Sequence, residues 1–355
     1  VETPQCPQRH TVTPAIILWP TPSIPHGMNP DSPLLRIRDL SVSYAVRRPS
    51  GYGQEHLQAV RGVSLDVHSG RVFGLVGESG CGKSSLARAI IHLVKPDSGS
   101  VHYQDIDLSQ ADAPGLRRAR REIQYLFQDA LASLSPRRSI WQALLEPLLH
   151  YRIGNAAEHR TRIGQVLEQV DLSADILPRY PHELSGGQRQ RVALARALIA
   201  EPALIIADEP LSSLDASVQA RMLALMRKVQ IKNGLALLFI SHNLAVVQQL
   251  ATEVGVMYAG EMVERGPVNA LLQNPAHPYT RTLLDAVCKP GNGELPALEA
   301  GTPPAPLAPL PGCSFQNRCP RVMEHCKIIS PHDNFIVSAT TNGGKHIARC
   351  HLWNS

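Results

Sequence analysis

The sequence predicts an α/β fold built around a phosphate-binding loop, and three observations carry that expectation. Val72 to His92 reads VFGLVGESGCGKSSLARAIIH, an apolar strand, a glycine-rich turn and an amphipathic helix in immediate succession. Two later stretches, Ala203 to Ala207 and Ala236 to Ile240, are unbroken apolar runs, the pattern of strands in a parallel sheet covered on both faces. The first run ends in Asp208-Glu209 and the second in Ser241-His242, at the strand ends where open α/β sheets gather their ligands.

The loop itself matches G-x-x-x-x-G-K-[ST] from Gly77 to Ser84. Gly77, Gly80 and Gly82 let the backbone curl so that successive N–H groups, including those of Ser79 and Cys81, point at an anion. The following helix adds partial positive charge. Lys83 is then placed to reach the β- and γ-phosphates, and Ser84, followed by Ser85, to offer a hydroxyl to Mg²⁺. A nucleoside triphosphate is the expected ligand. On the opposing strand, Asp208 is expected to hold Mg²⁺ and Glu209 to take a proton from, or orient, an attacking water.

The 355 residues exceed the roughly 100–200 of one compact domain and suggest two units plus tails. A hydrophobic content of 43% is ample for a core. The net charge of +5 is made of interspersed acids and bases, so charge selects no partner class. No apolar run approaches the roughly eighteen residues of a membrane-spanning helix. Residues 1–32, rich in Pro, Thr and Ser and without a basic start, read as a flexible leader rather than a secretory signal, and a cytoplasmic protein is expected.

Structure is expected from Leu34. Alternation over Leu35 to Arg38 and Leu40 to Tyr44 predicts a strand with one exposed face, a polar loop over residues 47–55, and a second strand at Val63 to Val67. Tyr44 stands at a strand end, where a half-buried strand tyrosine and a base-stacking tyrosine are equally consistent with the pattern. A strand at Ser100 to Tyr103, a charged segment at Leu116 to Glu122 and a strand at Ile123 to Phe127 lead to Gln128. From about 130 to 183 the periodicity is helical, punctuated by Pro147, Pro178 and Pro181, which suggests an inserted helical subdomain. A second glycine-rich loop, Leu184-Ser185-Gly186-Gly187-Gln188, opens another helix and has the ingredients of a second anion site.

In order, Tyr44, the Walker A loop Gly77 to Ser84, Gln128, the loop Leu184 to Gln188, Asp208-Glu209, Ser212 to Asp215 and His242 closely resemble the nucleotide-binding subunits of ATP-binding cassette (ABC) transporters. The resemblance implies a P-loop NTPase ABC cassette over 33–265, with the helical subdomain inserted at about 130–183. It further implies that Tyr44 stacks on adenine, that Gln128 touches the Mg²⁺ and water site and senses a membrane partner, and that His242 contacts the γ-phosphate. Ser185, Gly186, Gly187 and Gln188 would address the ATP of an opposing subunit in a head-to-tail pair.

Phe127 to Arg137, Arg179 to His182 and Asn274 to Arg281 narrow the resemblance to the dipeptide/oligopeptide importer ATPases, in particular their F-type subunit. That class implies a second ATPase subunit of the D type, two transmembrane permeases, an extracytoplasmic solute-binding protein and residence at the cytoplasmic face of the membrane, with no nucleic acid. Nickel and glutathione importers share the pattern, and a soluble non-transport ABC ATPase is the more distant alternative. Ala130, where proline is usual, and Asn243, where aspartate commonly follows the histidine, depart from it. Residues 266–355 match the class's C-terminal extension, small and Cys-rich: a Pro-rich linker at 295–311, then Cys313, Cys319, Cys326 and Cys350. Four thiols in a cytoplasmic chain favour a metal over disulfides. Their wide spacing argues against a zinc ribbon and allows a 4Fe-4S cluster, with zinc and plain thiols as the alternatives. Cys6 and Cys288 have no evident role.

Overall fold

The computed structural model describes residues 32–47, 54–129, 133–288, 311–336 and 345–353. The leader, the tip of the 47–55 loop, Ala130, the Pro-rich linker and Cys6 lie outside the described residues, as does the side chain of Cys288. The chain opens with a long antiparallel hairpin, β1 (Pro33–Arg47) and β2 (Gln54–His68), whose inward Leu35, Ile37, Leu40 and Val42 are fully buried. The expected alternation is therefore real and also longer than the sequence suggested. Next come β3 (Val72–Val76), α1 (Lys83–Ile90), β4 (Ser98–Tyr103), β5 (Ile106–Asp107), α2 (Ala113–Glu122) and β6 (Ile123–Leu126). The charged segment at 116–122 is helical because Asp112 caps its N-terminus, accepting from the Gly115 N–H at 2.8 Å.

The helical stretch that follows holds α3 (Ile140–Tyr151) and α4 (Ala156–Gln169). Ser139 and Gln142 start α3 with a reciprocal capping box, and Asn155 caps α4. Their buried faces, Ile140, Leu144 and Leu148 against Ile163 and Leu167, join the same core as α5 (Gly186–Leu198). The remaining elements are β7 (Leu204–Asp208), α6 (Ala216–Asn233), β8 (Ala236–Ser241), α7 (Leu244–Val247), β9 (Glu253–Tyr258), β10 (Glu261–Pro267), α8 (Val268–Gln273), α9 (Pro278–Cys288), β11 (Asp333–Phe335) and β12 (Ile347–Arg349).

Two sheets result. One is antiparallel, in the order β2-β1-β4-β5; the other has the order β11-β12-β10-β9-β3-β8-β7-β6, with β9, β3, β8, β7 and β6 running parallel. The unbroken apolar runs are explained by this placement. On β7, Leu204 and Ile206 face the core shared with α1 and the β1–β2 hairpin, while Ile205 and Ala207 face the helical core. On β8, Leu238 and Ile240 face the first side, and Leu237 and Phe239 the second. Both faces are covered, so neither strand carries a polar alternate.

The expected boundary at 265/266 lies within β10, and the C-terminal residues extend the main sheet through β12 and β11. At that join Glu264 is fully buried, and its carboxylate accepts from the Ala276 N–H (2.8 Å) and the His277 N–H (2.8 Å) and meets His346 Nε2 (2.7 Å). His277 lies in the same knot, its Nδ1 accepting from the Tyr279 N–H at 3.1 Å. Burial pushes the His277 imidazole down to about 4, against the opposing pull of Glu264. The folded state thus keeps His277 neutral while the unfolded chain binds a proton below pH ~6.5, so stability falls as pH drops from about 6.5 toward 4. In thermal melts of wild type and His277→Asn between pH 7 and 5, the wild type is expected to lose the more Tm on acidification; parallel curves would contradict this.

Candidate functional site

The C-terminal ends of β3, β8 and β7 are adjacent in the sheet, and each delivers one part of the site. After β3 the backbone must pass close to Met257: a Cβ at Gly77 would lie 2.2 Å from its carbonyl oxygen. Gly82 then turns into α1 with φ of +105°, a conformation that disfavours side chains. As the N-cap of α1 it supplies no side-chain oxygen, which leaves the dipole end of the helix to an incoming anion. Ser79 and Gly80 form the exposed tip of the loop, while Cys81 is buried and its thiol is pushed up by that burial.

Lys83 is only 4% exposed, and its ammonium donates to the carbonyl oxygens of Gly77 (2.8 Å) and Glu78 (2.9 Å). Its Nζ lies 3.8 Å from Glu209 Oε1. The other carboxylate oxygen of Glu209 is 3.2 Å from His242 Nδ1, so Glu209 stands between the phosphate-loop lysine and the histidine at the end of β8. Glu209 itself adopts φ of +45° and donates its N–H to the Ile240 carbonyl at 3.0 Å. A left-handed glutamate is a strained residue held by its surroundings, a feature concentrated at working sites. One residue earlier, Asp208 is buried and accepts from Ser84 Oγ at 2.9 Å.

Sequence reasoning missed one member of this group. Tyr125, on β6, donates its hydroxyl to the second oxygen of Asp208 at 2.7 Å. Burial, reinforced by Asp208, holds the phenol well above its usual pKa, so it remains a donor. The signal was present as a tyrosine facing the neighbouring strand of a parallel pair, but only the register of β6 on β7, Tyr125 opposite Ile206, makes it visible. Gln128 stands exposed just beyond the end of β6. Tyr44 meets the start of α1, its hydroxyl donating to Ser85 Oγ at 3.2 Å.

The second glycine loop is a separate place. Ser185 caps α5, accepting from the Gln188 N–H at 3.3 Å, while Gln188 Oε1 accepts from the Ser185 N–H at 3.0 Å; Gly186 and Gly187 form the first turn between them. Gln190, fully buried further along α5, donates to the Pro210 carbonyl at 2.5 Å and so ties this helix to the segment after Glu209. Asp215 caps α6 by accepting from the Val218 N–H at 2.9 Å. Asn243, the departure noted above, caps α7 by accepting from the Ala245 N–H at 2.9 Å, the task an aspartate would perform.

Cys313, Cys319, Cys326 and Cys350 are free thiols brought into one neighbourhood. The Cys313 N–H donates to the Cys326 carbonyl at 2.8 Å. Burial raises Cys313 up to about 12, helped by Cys350, Cys326 and Cys319. Burial also raises Cys350, again with contributions from Cys319 and Cys326. The thiols therefore lie within electrostatic reach of one another. Among the described residues no three His, Cys, Asp or Glu side chains gather closely enough to hold a single metal ion, so the arrangement does not fit a zinc centre. Among the same residues no helix is long and apolar enough to cross a membrane.

Comparison with known proteins gives the chain a family. The family model for ABC transporters matches residues 60–212, and that for the oligopeptide/dipeptide transporter C-terminal region matches residues 263–326. The di/tripeptide transport ATP-binding protein DppF of Pseudomonas aeruginosa is 43% identical over 83% of this chain and 92% of its own length. The oligopeptide transport ATP-binding protein OppF of Salmonella typhimurium is 43% identical over 84% of this chain and 92% of its own. Among solved structures, the dimeric cassette MJ0796 in a post-hydrolysis state bound to ADP and Pi is 27% identical. It aligns with a TM-score of 0.59 over 66% of this chain and 98% of that one. With these relatives and these residues in place, the chain belongs to the ABC transporter ATP-binding family, in the branch that carries the oligopeptide/dipeptide transporter C-terminal region.

Proposed function

We propose that this chain binds and hydrolyses ATP at the 77–84 loop and thereby energises an importer of di- and oligopeptides. The observation that carries the reading is the convergence of Lys83, Glu209 and His242 on one side and Ser84 with Asp208 on the other, at the ends of three adjacent strands. The loop amides, the start of α1 and Lys83 bind the phosphates, and Tyr44 stacks on the base. Glu209 orients or deprotonates the attacking water, held in place by His242, which also addresses the γ-phosphate. The paired oxygens of Ser84 and Asp208 suit a hard divalent cation, and we assign Gln128, exposed just beyond the end of β6, as a further contact to it. Mg²⁺ bound there supplies charge neutralisation at the phosphates.

Peptide as the solute is supported by relatives whose names are di/tripeptide and oligopeptide transport proteins. The assembly then comprises a second ATPase subunit of the D type, two permeases and an extracytoplasmic binding protein, with this chain at the cytoplasmic face. The loop Ser185 to Gln188 serves the ATP of the second ATPase subunit. A groove of about 370 Å³ runs from Phe127, beside Gln128, past Tyr125 and Arg120 to Glu146 and Tyr151. Exposed Phe127 and Leu93 give it an apolar lip, which suits a permease helix. For the four cysteines we infer a 4Fe-4S cluster, on the ground that the C-terminal extension carries four free thiols, Cys313, Cys319, Cys326 and Cys350, the number and type of ligand such a cluster takes. Bound, it would supply a covalent cross-link between the turns at Cys313, Cys319 and Cys326 and the end of β12.

Lys83→Ala is expected to abolish ATP binding by the purified chain in fluorescence titrations. Glu209→Gln is expected to retain binding while losing hydrolysis by roughly two to four orders of magnitude, the usual contribution of a proton-transfer group. ATP binding in the first variant, or near-normal turnover in the second, contradicts the assignments. Chain purified without oxygen is expected to show broad visible absorbance and bound iron, both reduced in Cys319→Ser; a colourless, iron-free preparation overturns the cluster.

A further inference from the structure

The residue that begins the phosphate loop's tip, Glu78, is held from the far end of the chain. Its carboxylate receives a two-pronged bond from Arg318, Nη1 to Oε2 at 2.9 Å and Nη2 to Oε1 at 2.8 Å. Its N–H donates to the Tyr279 hydroxyl at 2.9 Å. Its carbonyl oxygen accepts from Lys83 Nζ at 2.9 Å. Every polar group of Glu78 is thus committed, two of them to the C-terminal extension and the third to the lysine of the loop.

The clamp is built rather than incidental. The Arg318 side chain is 4% exposed, a costly site for a guanidinium. It lies 5.5 Å from the ring centre of Tyr258 and 5.8 Å from that of Phe315, and it also donates to the Tyr258 hydroxyl at 3.3 Å. Tyr258, Tyr279 and Phe315 pack on one another with ring centres 4.7 to 5.4 Å apart. An aromatic bed from β9, α9 and the cysteine-bearing turn therefore seats a single cation against the phosphate loop.

We propose that Arg318 is a positioning residue for nucleotide binding, acting through Glu78 on the loop and on Lys83. The proposal rests on the nucleotide-site reading above and deepens it. Two physical effects point the same way. Arg318 fixes the loop before ligand arrives, so less ordering is charged against binding. It also neutralises a carboxylate that otherwise stands in the loop that receives a triphosphate. The C-terminal extension thereby becomes a contributor to ATP affinity.

The test uses the full chain titrated with trinitrophenyl-ATP, alongside ATP kinetics in the assembled complex. Arg318→Gln is expected to raise the Kd and the KM for ATP roughly tenfold, the worth of a charge-assisted pair, with kcat within about twofold of wild type. Adding Glu78→Gln to that variant is expected to recover much of the loss, because the unpaired carboxylate is gone. Tyr279→Phe, a smaller change that keeps the ring packing, is expected to raise Kd by roughly threefold. A merely structural role would instead lower the folded fraction, reducing kcat at unchanged KM. That pattern, wild-type affinity in Arg318→Gln and Tyr279→Phe, or a double variant weaker than the single one overturns the inference. Failure of the wild-type chain to bind the probe overturns the nucleotide-site reading itself, and this inference with it.

Discussion

A buried ammonium organises this molecule. Lys83, almost without exposure, needs oxygen on every side, because an ammonium taken out of water without compensation is prohibitively expensive. Two carbonyls of its own loop and the Glu209 carboxylate supply it. Those partners come from the ends of β3 and β7, so the strand order, the glycines that let the loop pass Met257, and the strained backbone of Glu209 all serve one local charge balance. On the function proposed above, the same residues are the ones that receive the triphosphate.

The parts of the fold that follow from short-range pattern were legible in the sequence. The phosphate loop and the helix after it, the apolar runs of β7 and β8, and the second glycine-rich loop opening a helix at Ser185 declare themselves through spacing and residue type. The acids at the end of β7 could be assigned a place because a strand's end is fixed by its own sequence. What escaped was what depends on register between distant segments. Tyr125 reaches Asp208 only because β6 lies beside β7, and Arg318 reaches Glu78 across 240 positions of chain. No periodicity marks either.

The C-terminal extension illustrates the same limit on a larger scale. Read in sequence it is a tail with four cysteines after a linker. In the structure it continues the main sheet: β12 pairs with β10, the buried Glu264 collects two backbone donors and His346 at the join, and the turn holding Cys313, Phe315 and Arg318 is pressed against Tyr258 and Tyr279. Sheet continuation satisfies the edge of β10, which an independent tail would have left open. The extension and the phosphate-loop half thus meet in one sheet, and the turn that carries Cys313 and Phe315 packs on Tyr258 of β9, the sheet neighbour of β3.

The central claim is that this site's nucleotide chemistry drives import of peptides. The most direct measurement is uptake of a radiolabelled tripeptide by proteoliposomes containing the complete transporter, with ATP supplied on the side where this chain is bound. Our account predicts ATP-dependent accumulation that disappears when Lys83 is replaced by Ala in this chain alone, while peptide still binds the extracytoplasmic receptor. Accumulation that persists in that variant would contradict it.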